Sequence, residues 1–160
     1  MREQRAGRIF NISSVGGFTA TAGWGIYDGT KFAVEGITES LRAEVAPLGI
    51  AVTVVEPGYF RTDFLDGSSL HRTTQVIDDY AATVGEICER TTQANHAQPG
   101  DPAKAAAAIV TVAGVTDPPA RLQLGADALA RVDAKLTLVR DEMTQWRDLA
   151  LSTGYGDAAV

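Results

Sequence analysis

The chain has 160 residues, of which 45% are hydrophobic and 21% charged, and a formal net charge of −6. These values fit one globular domain and exclude a disordered chain. The acidic balance argues against nucleic acid as a partner, because phosphate binding needs clustered Lys and Arg, and the single cysteine, Cys88, excludes an internal disulfide framework or zinc cluster.

Two strands and a helix are predicted before residue 56. Residues 7–14 read GRIFNISS and predict a short buried strand, and residues 15–25, rich in Gly, Thr and Ala, predict a loop. From Ile26 a helical pattern runs to near Gly49, with the acidic Glu35 off its apolar stripe. The stripe comprises Ala33, Val34, Ile37, Leu41, Val45 and Leu48. The β-branched run at 50–55 predicts a strand covered on both faces, as in a parallel sheet.

The second half of the chain is also predicted to combine helices with a strand. Residues 59–74 predict a loop, and residues 76–94 a helix with Val84 and Ile87 inward. Asp101 before Pro102 predicts a capped helix start, with the helix reaching about Ala113. The remaining elements are a short strand at 121–124, a helix at 127–146 and a frayed tail at 152–160. The inward side of that last helix is predicted to carry Leu129, Val132, Leu136, Val139 and Met143.

A serine, a tyrosine and a lysine form the most informative motif. Tyr27 and Lys31 are one helical turn apart, and Ser14 lies thirteen residues before Tyr27, at the predicted end of a strand. A cation beside a phenol favours the phenolate and lowers its pKa, so the pair can act as a tuned acid and base. The Ser14 hydroxyl can hydrogen-bond a substrate oxygen. Each part alone also fits ordinary surface or loop chemistry, and their joint order indicates proton transfer.

Other polar residues do not form a convincing site. His71 and His96 lack partners at metal-ligand spacing, so no metal site is predicted. Ser69, His71 and Asp66 lack the strand-turn-helix context of a hydrolase nucleophile and are interpreted as loop residues.

The segment GRIFNISSVGG…YDGTKFAVEGITESLRAEVAPLGIAVTVVEPGYFRTDF, about residues 7–64, resembles the catalytic half of a short-chain dehydrogenase/reductase. GDPAKAAAAI at 100–109 and RLQLGADA at 121–128 resemble the C-terminal part of that family. The resemblance implies an α/β fold with a Rossmann-like parallel sheet between helices. It also implies transfer of a hydride between NAD or NADP and a small alcohol or carbonyl compound.

The same resemblance implies roles for individual residues. Tyr27 would be the catalytic acid and base, Lys31 would lower its pKa and bind the nicotinamide ribose, and Ser14 rather than Ser13 would hold the substrate. Both Tyr27 and Lys31 would therefore also contact the cofactor.

The turn after the second strand would hold the nicotinamide. Pro57 and Gly58 would lie against the ring, while Thr62 and the backbone of Phe60 would hold its carboxamide.

The family's glycine-rich TGxxxGxG-type loop and its NNAG-like turn are not in this sequence. Residues 1–160 are therefore expected to form a single partial domain, the C-terminal half of the fold, with roughly 100–120 residues missing before Met1. The strand at 7–14 would then have a bare edge, and the chain alone would bind a nicotinamide cofactor far more weakly than a complete enzyme.

Two functions remain open from the sequence. The first is an oxidoreductase of the short-chain type, as a truncated form. The second is a non-catalytic fragment that joins a full-length homologue, or forms a homo-oligomer, through the helix at 27–46. A cytoplasmic location is expected, with no membrane segment, because the apolar run at 103–115 is too short to span a bilayer.

Overall fold

A computed structural model describes residues 1–73 and 75–155. It contains one parallel sheet of three strands in the order β1-β2-β3, flanked by helices, which confirms the predicted α/β class. The strands are β1 (Gly7–Ile12), β2 (Ile50–Pro57) and β3 (Arg121–Leu124). The helices are α1 (Gly25–Val45), α2 (Glu86–Ala94), α3 (Pro102–Ala113), α4 (Ala126–Gln145) and α5 (Arg147–Leu151).

β2 is the central strand and forms the core of the sheet. Gly7 pairs with Ile50 at the start of the β1 ladder, and Pro57 pairs with Leu124 at the end of the β3 ladder. Val52, Val54 and Val55 of β2 are almost completely buried, which confirms the prediction from the β-branched run. β1 lies within the residues predicted for the first strand, which confirms the strand. It pairs only with β2 among the described residues and is half-buried, so the predicted burial of this strand was wrong.

The face that helix α1 turns to the sheet agrees only in part with the predicted apolar stripe, of which four members are half-buried: Val34, Leu41, Val45 and Leu48. Ala33 and Ile37 are exposed, while Glu35 and Thr38 are buried. Thr38 accepts a hydrogen bond of 2.9 Å from the side chain of Asn11 on β1. The polar side chains face the sheet because the sheet provides polar partners for them.

Glu35 belongs to a charged cluster that joins α1 to β2 and β3. The Arg121 guanidinium lies 3.4 Å from Glu35, 3.3 Å from Glu56 and 2.7 Å from the exposed Glu39. Gln123 donates a hydrogen bond of 3.0 Å to Glu56. Burial lowers the pKa of Arg121, but the three glutamates more than offset this and raise it overall.

The apolar side predicted for the last helix was also mostly wrong. Val132 is buried, together with Ala128, against Val15 and Phe18. The other members of the predicted side are substantially exposed: Leu129, Leu136, Val139 and Met143. The residues of α4 beyond its first two turns, 133–145, are all exposed. The apolar side chains there are therefore not buried by the described residues.

The helix predicted at 76–94 is regular only as α2, which follows turns at Asp78–Tyr80 and Ala81–Gly85. Val84 and Ile87 are half-buried, as predicted. The tail predicted at 152–160 lies outside the described residues from residue 156 onwards. In the described part of the chain, no helix combines the length and the apolar character needed to cross a membrane.

Candidate active site

A cavity of about 480 Å³ opens where β1 and β2 end. The carboxyl ends of parallel strands meet at one edge of a sheet, and ligands of α/β proteins bind there. All seven residues predicted to carry the site line this cavity: Ser14, Tyr27, Lys31, Pro57, Gly58, Phe60 and Thr62. Residues far apart in sequence are thus brought together as the site prediction requires.

Two serines follow β1 and line the cavity, and they differ in burial and hydrogen bonding. The ladder continues past the strand, with the Ser13 N–H donating to the Val55 carbonyl at 2.8 Å. Ser13 is buried, and its hydroxyl donates to the Lys31 carbonyl at 3.4 Å. Ser14 is half-buried, and its hydroxyl accepts from the Gly16 N–H at 3.0 Å. The Gly16 N–H thereby fixes the position of the Ser14 oxygen.

Tyr27 and Lys31 project from the first turns of α1. The Lys31 ammonium donates to the Ile12 carbonyl at 3.2 Å and lies 5.7 Å from the centre of the Tyr27 ring. It is therefore pinned to the end of β1 and lies over the face of the phenol ring.

The pKa of Tyr27 is raised above its ordinary value of 10.0, chiefly by burial. A hydrogen bond with Ser14 lowers it, and the charges of Asp28 and Tyr59 raise it. The sequence predicted a net lowering by Lys31, and this is not found in the described structure. Burial of the phenol outweighs the hydrogen bond with Ser14, which lowers the pKa of Tyr27.

The turn after β2 is held tightly against the start of α4. The Gly58 N–H donates to the Leu124 carbonyl and the Tyr59 N–H to the Asp127 carboxylate, each at 2.8 Å. A side chain at Gly58 would overlap the Asp127 carboxylate and would displace it from the Tyr59 N–H. Thr62 caps the next short turn by accepting from the Phe64 N–H at 3.3 Å.

An aromatic cluster forms one wall of the cavity. The ring centres of Trp24 and Phe64 lie 6.1 Å apart and the two rings are stacked, with an angle of 22° between their planes. Tyr27 packs against both rings, at 5.5 Å from Trp24 and 5.4 Å from Phe64. The phenol that carries the proposed chemistry is thus oriented by apolar contacts.

Three charged or amide side chains that line the cavity were not identified as site residues from the sequence: Asp28, Gln98 and Arg131. Asp28 is buried and accepts from the Thr21 N–H at 2.8 Å. Arg131 donates to the Thr19 carbonyl at 2.9 Å and to the Thr21 hydroxyl at 3.0 Å. Asp28 and Arg131 hold the loop that leads into Tyr27. Adjacency to Tyr27 was the only sequence signal for Asp28, and Arg131 and Gln98 gave none.

A group of possible metal ligands lies beside the cavity. Asp63, Asp66 and His96 bring one ligand atom each within 4.8 Å of one another. His96 lies 3.1 Å from the Asp66 carboxylate, which pairs with Asn95 as well. Ordinary side-chain pairing accounts for this group, and the absence of a metal site stays a prediction.

Comparison with known proteins identifies the family. Residues 1–73 match the family model described as short chain dehydrogenase. An oxidoreductase of Botryotinia fuckeliana named BOA17 is 37% identical over 96% of this chain and 55% of its own length. A 3-ketodihydrosphingosine reductase of Bacteroides thetaiotaomicron is 37% identical over 78% of this chain and 46% of its own length.

A solved short-chain dehydrogenase from Streptomyces avermitilis is 42% identical and superimposes with a TM-score of 0.85, over 96% of this chain and 55% of that one. The chain thus spans about half the length of the relatives it matches. On the match of its first 73 residues and on these relatives, the chain belongs to the short-chain dehydrogenase/reductase family.

Proposed function

We propose that these residues form the catalytic part of an NAD- or NADP-dependent oxidoreductase that interconverts a small alcohol and its carbonyl compound. The observation that carries this proposal is the convergence of Ser14, Tyr27 and Lys31 on one cavity at the carboxyl edge of the sheet. Because the chain spans about half the length of its relatives, the activity is proposed for a protein that also supplies their remaining part.

Tyr27 is the group that moves the proton. During reduction its phenol donates a proton to the carbonyl oxygen, and during oxidation it accepts one from the alcohol. The raised pKa of Tyr27 keeps the phenol protonated at neutral pH in the described structure, which suits the acid role. The Ser14 hydroxyl, which lies beside Tyr27, donates a hydrogen bond to the same substrate oxygen and stabilises the charge that develops there.

The residues around the turn after β2 fit a nicotinamide dinucleotide, which when bound supplies or accepts the hydride. Pro57 and Gly58 offer a flat wall, and Thr62 and Lys31 offer hydrogen-bond donors. Gln98, which also lines this cavity, has a buried carboxamide with no hydrogen-bond partner among the described residues. The aromatic wall of Trp24 and Phe64 favours an apolar substrate.

A chimaera tests the proposal. This chain is joined to the part of the Streptomyces avermitilis dehydrogenase that it does not match, and oxidation of NADH or NADPH is followed with a panel of aldehydes and ketones. We expect Tyr27→Phe to lower kcat by a factor of about 100 or more, because general acid catalysis is lost, with cofactor affinity nearly unchanged. The matched control is Tyr155→Phe, an exposed tyrosine outside the cavity. Retention of most activity in Tyr27→Phe would count against the assignment.

A second candidate function is a non-catalytic partner that binds a full-length homologue, or a second copy, through α1. The observation in its favour is the exposure of large apolar side chains on α1, with Ile26, Phe32 and Ile37 exposed by 90%, 45% and 65%. Size-exclusion chromatography with light scattering separates the two candidates, since a monodisperse monomer that binds no homologue would contradict the second.

A further inference from the structure

Asp28 is a buried acid that directly follows the tyrosine of the site. It is 4% exposed and lines the cavity. It forms no ion pair among the described residues. Taking a carboxylate out of water costs free energy unless hydrogen bonds compensate for it, so its contacts indicate what it does there.

Asp28 holds both ends of a tight turn at residues 21–24. The Trp24 N–H closes this turn by donating to the Thr21 carbonyl at 3.1 Å, and Gly23 within it has a φ of +80°. The Asp28 carboxylate accepts from the Thr21 N–H, and the N–H of Asp28 donates to the Trp24 carbonyl, each at 2.8 Å. The turn is therefore fixed to the first residues of α1.

The turn places Trp24 against the ring of Tyr27. The two ring centres lie 5.5 Å apart, with an angle of 74° between the ring planes. Arg131 of α4 supports the same turn by donating to the Thr21 hydroxyl at 3.0 Å. Asp28 thus orients the Tyr27 ring indirectly, through the turn and Trp24.

Gly16 shows how close the carboxylate comes to the reacting groups. A Cβ added at Gly16 would lie 2.5 Å from Oδ1 of Asp28, and 3.4 Å from both the Ser14 hydroxyl oxygen and Cε1 of Tyr27. The carboxylate, the serine and the phenol ring therefore all approach the same glycine. A negative charge near a phenol disfavours the phenolate, and the low dielectric of a buried site strengthens this effect.

The titratable and charged groups near Tyr27 come from three parts of the chain: Asp28 and Lys31 on α1, Tyr59 after β2 and Arg131 on α4. The Lys31 ammonium donates to a backbone carbonyl at 3.2 Å and lies 5.7 Å from the ring centre. Burial raises the pKa of Tyr27 most, a hydrogen bond with Ser14 lowers it, and the charges of Asp28 and then Tyr59 raise it further. Asp28 is therefore the charged group with the largest effect on the phenol.

We propose that Asp28 is a positioning residue of the active site, an inference that rests on the proposed function. Its carboxylate holds the turn that orients Tyr27, and its charge favours the protonated phenol, the form that donates to a carbonyl oxygen. Asp28 acts only through Tyr27, and it extends upwards the range of pH in which the phenol can donate.

A titration of the tyrosine rings tests the inference without requiring activity. The chain is labelled with ¹³C at Cζ of its tyrosines, and the signal of Tyr27 is assigned by its loss in Tyr27→Phe. Asp28→Asn keeps an oxygen that accepts from the Thr21 N–H and removes the charge. We expect the midpoint of the Tyr27 titration to move to lower pH, because the phenolate is no longer opposed by a neighbouring anion, and the Trp24 indole signal to stay in place.

Three further variants separate charge from hydrogen bonding. Glu44→Gln removes an exposed charge near the other end of α1 and should leave the Tyr27 midpoint unchanged. Asp28→Ser, which is small and keeps an acceptor oxygen, should lower the midpoint as well and replaces the amide variant if that one does not fold. Asp28→Ala, which also lacks the acceptor, should in addition shift the Trp24 indole signal.

The chimaera gives the matching readout in catalysis. Carbonyl reduction needs the protonated phenol, so its loss of rate at high pH should begin at lower pH in Asp28→Asn than in the parent. A merely structural role of Asp28 would lower the rate at every pH and leave the shape of this profile unchanged.

A Tyr27 midpoint that stays or rises in Asp28→Asn or Asp28→Ser would overturn the inference, and so would an equal fall in Glu44→Gln or an unmoved Trp24 signal in Asp28→Ala. These results leave the proposed function intact, because they concern only the group that tunes Tyr27. A chimaera without activity whose Tyr27 midpoint still falls in Asp28→Asn would contradict the proposed function and keep the link between Asp28 and the phenol.

Discussion

Glu56 is a buried carboxyl of β2 whose pKa links the stability of the sheet to pH. Burial raises its pKa to about 7 and the Glu35 charge raises it too, while Gln123 and Arg121 act in the opposite direction. The pKa in the folded chain is therefore above the ordinary value of 4.5. Folding favours the protonated form, so the chain is most stable below pH 4.5 with respect to this group and loses stability as the pH rises towards 7.

We expect Glu56→Gln to remove this pH dependence, because the amide keeps the shape of the protonated acid and has no charge to desolvate. The difference in unfolding free energy between pH 4.5 and pH 7.5 should shrink by about 3 kcal/mol. Urea unfolding at the two pH values measures it. Glu39→Gln, which removes a mostly exposed partner of the same arginine, should leave the difference nearly as it was. An unchanged difference in Glu56→Gln would show that Glu56 stays ionised in the folded chain.

Single residues of the site could be predicted from the sequence where the spacing between them indicated that their side chains act together. Tyr27 and Lys31 share a helix face at a spacing of four, and the end of β1 places Ser14 beside them. Gln98 could not be found in this way, because its contacts with Arg61 cross 37 positions. The direction of the Tyr27 pKa shift was missed for a related reason, since it depends on burial by residues from other parts of the chain.

At the scale of elements, strands were easier to predict than helix faces. β2 and β3 are found where β-branched and apolar runs placed them, and Asp101 caps α3 by accepting from the Ala103 N–H at 2.9 Å. The inward face of α1 was wrong because hydropathy treats Glu35 as a surface residue, whereas Arg121, 86 positions later in the chain, provides its partner. A buried ion cluster of this kind leaves no periodic signal.

Two glycines, one in the middle of α1 and one in the turn before β2, should respond oppositely to alanine. Gly36, inside α1, has nothing within 4 Å of an added Cβ, so Gly36→Ala should raise the unfolding free energy by about 0.5–1 kcal/mol. Gly49 has a φ of +69°, and an added Cβ would overlap the Arg5 carbonyl, so Gly49→Ala should lower it by more than about 1 kcal/mol. Urea unfolding of both variants measures the contrast, and equal effects would contradict the described backbone.

At the scale of the whole molecule, polar and apolar surfaces are unevenly distributed. β1 lies at a sheet edge with pairing on one side only among the described residues, and α1 exposes several large apolar residues. An unpaired strand edge and an exposed apolar face both favour association with another chain.

We expect the isolated chain to self-associate at micromolar concentration and Ile37→Glu to reduce this association, because the charge falls in the middle of the exposed face of α1. Light scattering after size exclusion gives the mass of parent and variant. Ile77→Glu places the same charge at another exposed isoleucine, outside α1, and should keep the parent's mass. Equal masses for the parent and both variants would remove α1 as the contact.

The hydrogen bonds of Lys31 to the Ile12 carbonyl and of Ser13 to the Lys31 carbonyl tie the first strand to the first helix. Ser14, Tyr27 and Lys31 all lie within eighteen consecutive positions of the chain. Much of the cavity wall, in contrast, comes from loops and helices that are distant in sequence. Substitutions in that wall can therefore change which substrates bind without moving the reacting groups. Protein engineering for altered substrate selectivity should begin there.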